Sequence, residues 1–238
     1  MGDRQPGGTS GNPGGRRARA RTAQEQELVR RQFLECARRV HARDGASGLT
    51  MRRLAAEAGY SPGAIYLYFP SRQELLRELW AEDLQGLLAA MQAAMEAPGV
   101  RGQAPGARLM ALFQAYAAFW WQRQDPFRAL FLEADHQFVQ DRVAFAADPV
   151  VIQVNTFITG QVRAVMAEAT GQADADVPEE QVNVTAHGLL AAVNGVISLH
   201  IGNGGFPWAD RGAMIDYVLT ALTAGLSAHG VRGVSARP

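Results

Sequence analysis

A chain of 238 residues with 47% apolar content can bury a core in one large domain or in a small domain joined to a medium one. Its single cysteine, Cys36, excludes an intramolecular disulfide and any cysteine-rich metal site. No apolar run is expected to reach the roughly 18–20 residues that cross a bilayer, and the Gly-, Pro- and Arg-rich N-terminus lacks the apolar core of a signal peptide, so a soluble cytoplasmic protein with no membrane partner is expected. The formal charge of zero conceals an asymmetry: residues 1–80 hold 14 Arg against 8 acidic residues, and residues 81–238 hold 9 Arg against 15, the pattern of a polyanion-facing module on an acidic body.

Residues 1–20 have too little apolar surface to fold alone and read as a disordered arm carrying Arg16, Arg17 and Arg19. From Thr22 to about Arg43, Val29, Phe33, Cys36, Ala37 and Val40 recur at helical spacing and predict a first amphipathic helix, with Arg30, Arg31, Arg38 and Arg39 largely elsewhere on its surface. Asp44 to Gly48 break that pattern. Thr50 then stands as N-cap of a short second helix whose inward face is Met51, Leu54, Ala55 and Ala58, and Gly59 supplies the left-handed residue that stops it.

Ser61 as N-cap and Pro62 at the first helical position start a third, aromatic helix almost at once, with Ile65, Tyr66, Tyr68 and Phe69 before Pro70 ends it. Two short helices joined by a tight turn containing Gly have the spacing of a helix-turn-helix, whose second member enters the major groove. Ser71 and Glu74 give a capping-box signature for a longer fourth helix through Met91. Further helices are predicted over 107–124, 125–135, 149–169, 178–201 and 210–229. With no strand alternation, the fold class is all-α with about nine helices.

Four features occur in order: Thr50-x-x-x-Leu54-Ala55, Ala58-Gly59-x-Ser61, Ile65-Tyr66-x-Tyr68-Phe69 and Ser71-Arg72-x-Glu74-Leu75-Leu76. Together they make residues 25–80 resemble the tetracycline-repressor (TetR) family of transcriptional regulators. The resemblance implies a helix-turn-helix DNA-binding domain over 21–70, a ligand-binding and dimerisation domain over 71–230 and a flexible tail over 231–238.

Chemistry argues for individual positions beside the resemblance. Thr50 brings a hydroxyl and free N–H groups to a helix N-terminus, where a phosphate binds, and Arg52 has the bidentate geometry that reads a guanine edge. The resemblance implies that Tyr66, Tyr68 and Arg72 touch DNA. Ser61, Pro62, Gly63, Ala64 and Leu67 complete the expected DNA-binding set. Pro62, Gly63 and Ala64 replace residues that in relatives often offer side-chain hydrogen bonds, so base reading is expected to lean on Arg52, Tyr66, apolar contact with thymine methyls and DNA shape.

In the C-terminal half, Phe113, Tyr116, Trp120, Phe127 and Phe131 concentrate more aromatic surface than a lone helical hairpin can bury, and are expected to line an apolar effector pocket with the polar residues Asn155, Thr159, His187 and Asn194. Simple core packing is the bland alternative for each. Gly188, Ala192, Gly195, Leu199, Tyr217, Ala221 and Ala224 lie on two small-residue-rich helices whose pairing with their copies would build a four-helix dimer interface. There is no nucleophile-base set, no metal-ligand spacing and no nucleotide loop, so no enzyme activity, metal or cofactor is expected. The expected protein is a ligand-responsive regulator, a repressor, that binds a palindromic operator on double-stranded DNA as a homodimer and is released by a small apolar or aromatic effector. The alternative is a helical protein-binding scaffold of the same fold that does not bind DNA.

Overall fold

A computed structural model describes residues 13–132 and 146–228 of the chain; residues 1–12 of the expected arm and the expected tail lie outside the described residues. Those described form eight α-helices with short 3-10 and π turns and no strand, and the chain divides into two compact units, 1–75 and 76–238. The all-α fold is as expected.

The first unit is built from α1 (Pro13–Gly48), α2 (Met51–Glu57), a 3-10 turn (Ala64–Leu67) and the opening of α3 (Arg72–Glu96). α1 begins at Pro13, so the second half of the stretch read as a disordered arm is helical. Ala and Arg are strong helix formers, and a segment too polar to fold alone extends a helix already nucleated by the amphipathic stretch that follows it. The predicted break after Arg43 occurs at Gly45, with φ 68° and ψ −170°.

Phe33, Cys36, Ala37 and Val40 of α1 bury themselves against Leu54 and Ala55 of α2, Ile65 and Phe69. The Phe33 ring lies 5.0 Å from Tyr60, 5.6 Å from Tyr68 and 6.4 Å from Phe69, so one side chain carries the aromatic packing of the unit.

The caps of α2 are those the sequence predicts. Thr50 is extended and its Oγ1 accepts the Arg53 N–H at 3.3 Å. At the other end Gly59, at φ 81°, turns the chain so that its own N–H reaches the Ala56 carbonyl at 3.1 Å and the Tyr60 N–H reaches Ala55 at 2.8 Å, satisfying the last carbonyls of the helix.

The third helix is a correction. Only Ala64–Leu67 are helical, as a 3-10 turn, held by the Ala64 N–H to Ser61 O at 2.9 Å and the Tyr68 N–H to Ile65 O at 3.0 Å. Ser61 therefore contributes its backbone carbonyl here. Pro62 lacks an N–H, Gly63 is a poor helix former, and Pro70 disfavours helical geometry at Phe69, which leaves too few residues between them for a stable α-helix. Beyond Pro70, Ser71 Oγ accepts the Glu74 N–H at 3.1 Å and α3 starts as expected.

In the second unit the remainder of α3 packs with α4 (Pro105–Gln122), α5 (Gln124–Phe127), α6 (Pro149–Thr170), α7 (Glu179–Gly202) and α8 (Arg211–Ala228). α5 passes into a π turn at Arg128–Leu132, so the single helix expected over 125–135 is interrupted; residues 133–145 lie outside the described residues. Asp148 caps α6 through its carboxylate, which accepts the Val150 N–H at 2.9 Å, with Pro149 at the first position.

α7 is also, by length and mean hydropathy, long and apolar enough to cross a membrane. Counting only uninterrupted apolar runs misses this, because its interruptions, among them His187 and Asn194, carry no fixed charge. Val182, Ala186, Leu189, Val193, Val196, Ile197 and Ile201 form the buried stripe of a core helix.

Candidate nucleic-acid interface

The turn 64–67 is anchored at its two ends and lifted between them. Ile65 and Phe69 are fully buried, whereas Tyr66 is 53% and Leu67 84% exposed. An apolar side chain held that far into water stabilises nothing in the monomer, which makes the pair the outstanding surface feature of the unit. Thr50, Arg52, Ser61, Pro62 and Gly63 are exposed as well, while Ala64, Tyr68 and Arg72 are half-buried. Arg52, the second residue of α2, is exposed and has no hydrogen-bond or ion-pair partner among the described residues.

Other arginines of the basic half do structural work that sequence spacing does not reveal. Arg72 Nε donates to the Leu49 carbonyl at 2.7 Å, directly before the Thr50 cap, so this expected DNA contact also fastens the start of α2 to the start of α3. Arg30, read from the sequence as a surface residue, donates to the Tyr68 carbonyl at 2.5 Å and lies 4.5 Å over the Phe69 ring. Tyr68 in turn packs its ring on Phe33, which leaves Tyr66 and Leu67 as the outward members of the turn.

Arg43 forms a two-pronged pair with Glu57 at 2.8 and 3.0 Å and bonds Asp44 at 2.7 Å, and Arg53 completes the cluster on Asp44 at 2.6 Å. The hydrogen bonds from Arg43 hold both carboxyls below the usual carboxylate range, and those to Glu57 and Asp44 raise the Arg43 guanidinium above its ordinary value. Arg53 is thus committed to the fold while its neighbour Arg52 is free, a distinction that follows from which side of α2 faces Asp44.

Residues 33–79, which span the latter part of α1, α2, the 3-10 turn and the first turns of α3, match the family described as bacterial regulatory proteins, tetR family. This stretch, about a fifth of the chain, is what is similar to that family. The HTH-type transcriptional regulator AcrR of Shigella flexneri is 33% identical over 60 residues, 25% of this chain and 28% of that protein, so the chain matches little more than a quarter of this curated relative. Solved structures extend the likeness of fold across both units. A TetR-like transcriptional regulator from Rhodococcus sp. aligns with a TM-score of 0.58 at 18% identity, covering 84% of this chain and 96% of that one. The fatty acid degradation regulator FadR from Bacillus halodurans aligns at 0.64 and 16% identity, covering 83% and 96%.

In the second unit, the residues expected at an effector pocket divide into two groups. Phe113, Tyr116, Trp120 and Phe127 are buried and packed edge to face, with Trp120 5.6 Å from Phe127 and 6.2 Å from Tyr116. Phe131 joins them at 4.8 Å from Phe127 yet remains 45% exposed. These rings pack on one another as a cluster.

Of the polar residues, Asn194 accepts the Tyr116 hydroxyl at 2.8 Å, and Thr159 turns its hydroxyl back onto the Asn155 carbonyl at 2.9 Å. Asn155 and His187 are exposed, which corrects the expectation that polar residues inside apolar helices point inward: each sits on the solvent side of its helix. The residues expected at a dimer face, Gly188, Ala192, Gly195, Leu199, Tyr217, Ala221 and Ala224, are exposed or half-exposed, with Tyr217 at 75%.

Proposed function

We propose that this chain is a TetR-family DNA-binding transcriptional repressor that recognises a palindromic operator as a homodimer and leaves it when a small apolar or aromatic effector binds. The observation that carries the reading is the pairing of an unpartnered Arg52 at the start of α2 with Tyr66 and Leu67 raised from a turn whose flanks are buried. Together with the Thr50 hydroxyl at the helix N-terminus they offer a charge for phosphate or guanine, a phenol for the backbone and an apolar group for a thymine methyl. Because Pro62, Gly63 and Ala64 offer no side-chain hydrogen bonds, groove shape supplies the rest of the specificity.

The exposed faces of α7 and α8 support pairing. Gly188, Ala192 and Gly195 permit close backbone approach, while Leu199 and Tyr217 supply apolar surface that a monomer leaves in water. Effector binding enters through the aromatic core around Trp120: a ligand that parts Phe113, Tyr116 and Phe127 shifts the chain toward a conformation with lower DNA affinity, by a coupling of about 1–3 kcal/mol.

Selection from random duplexes with the full chain tests the reading. A recovered palindrome with half-sites about one helical turn apart, and an affinity that falls steeply with salt, are expected. Arg52→Ala is expected to weaken the recovered site more than random DNA. No enriched sequence and no salt dependence would leave the protein-binding scaffold as the better account.

A further inference from the structure

Within the second unit, α4 and α8 enclose a groove of about 360 Å³ that opens to solvent and is lined by none of the residues assigned above to an effector. Ala117 and the buried Ile215 give it an apolar base, and Trp121 an aromatic side. The polar groups at its edge are already arranged. Gln114 Nε2 donates to one Asp216 oxygen at 2.8 Å, which fixes that carboxylate in place and leaves its second oxygen with no partner among the described residues. The Arg211 guanidinium lies 5.1 Å from the centre of the Trp121 ring.

Charge decides what such a groove takes. The start of α8 is closed to an anion, because the Asp210 carboxylate already accepts the Ala213 N–H at 2.9 Å and adds its own negative charge there. Asp210 and Asp216 outnumber Arg211, so the groove carries a net negative charge that one further cation neutralises. The Arg211 guanidinium over the half-buried Trp121 ring shows that the indole already holds a delocalised cation at a distance where ring and charge attract. We propose that this groove binds a small flat organic cation of the amidinium or guanidinium class, its ring on Trp121 in place of Arg211 and its charge on Asp216. The site is independent of the DNA-binding reading.

Benzamidinium is the probe and benzoate its anionic counterpart of the same shape, each titrated into the full chain by calorimetry. Benzamidinium is expected to bind and benzoate not to. Asp216→Asn keeps the hydrogen bond from Gln114 and removes the charge, and is expected to weaken benzamidinium about tenfold. Trp121→Leu weakens it to a similar degree. Arg211→Ala, which frees the indole and removes a like charge, tightens it about threefold, and this opposite sign separates the site from a general effect on folding. Equal binding of benzoate, no benzamidinium binding at millimolar concentration, unchanged affinity in Asp216→Asn, or lost affinity in Arg211→Ala would each overturn the proposal.

Discussion

The Tyr116 hydroxyl donates to Asn194 Oδ1 at 2.8 Å and joins α4 to α7 inside the second unit. Burial pushes this phenol far above its ordinary value, the bond to Asn194 opposing the shift only in part. Tyr116→Phe strands a half-buried amide oxygen and is expected to cost about 1–2 kcal/mol in denaturant unfolding. The pH dependence has a definite sign. A group whose value is raised in the folded state contributes stability that is intact below its unfolded value of about 10 and declines as pH rises beyond it. Wild-type stability is therefore expected to fall more steeply above pH 10 than that of Tyr116→Phe; parallel curves would remove Tyr116 from the account.

The cluster of Arg43, Asp44, Arg53 and Glu57 gives the opposite pH behaviour at the acid end. Asp44 and Glu57 are held below their ordinary values by Arg43, so the stability they contribute is present above the usual carboxylate range and is lost as pH falls through their lowered values. Arg43→Gln is expected to lower the melting temperature at pH 7 and to flatten the decline between pH 5 and 2. Because these groups are exposed, added salt should shrink the wild-type advantage.

Arg30 holds the turn that carries Tyr66 without itself facing outward, through the Tyr68 carbonyl and the Phe69 ring. Arg30→Gln is expected to weaken operator binding about fivefold to tenfold while leaving the slope of affinity against salt unchanged, since no phosphate contact is lost. Arg52→Ala, by contrast, should relax sequence preference, weakening the recovered site more than random DNA. A fall in slope for Arg30→Gln would make it a phosphate contact and not a positioning residue.

A charge placed on the exposed α7–α8 face tests pairing. Leu199→Glu and Ala221→Glu stand where the monomer leaves 40% of the leucine in water and the alanine exposed, so neither should unfold the chain. Both are expected to yield monomers by analytical ultracentrifugation and to lose at least tenfold in operator affinity, because two half-sites are no longer bound together. Dimers of unchanged stability would place the interface elsewhere.

Signals that act within one turn of chain were legible in the sequence. Thr50, Ser71 and Asp148 cap the helices predicted to follow them, and Gly59 stops α2, because each works through neighbours two to four residues away. What escaped depends on partners brought from afar. Nothing local tells Arg52 from Arg53, or marks Arg30 as a ligand of a carbonyl 38 residues on. The stretch 61–70 reads as an α-helix because its punctuation is correct, yet the poor helix formers and prolines from Pro62 to Pro70 outweigh the caps. Asn155 and His187 read as inward on composition, whereas helical phase places them outside.

The break in α1 also bears on how this chain tolerates change. Gly45 holds a backbone geometry, φ 68° with ψ −170°, that essentially only glycine adopts, though nothing lies within 4 Å of where a side chain would stand. Space is plentiful there and torsion forbids its use. An alanine, the residue usually chosen to strengthen a helix, would instead favour winding straight on and carry the following residues out of register with the second helix. The position is one at which engineering for rigidity would sacrifice the reader it was meant to preserve.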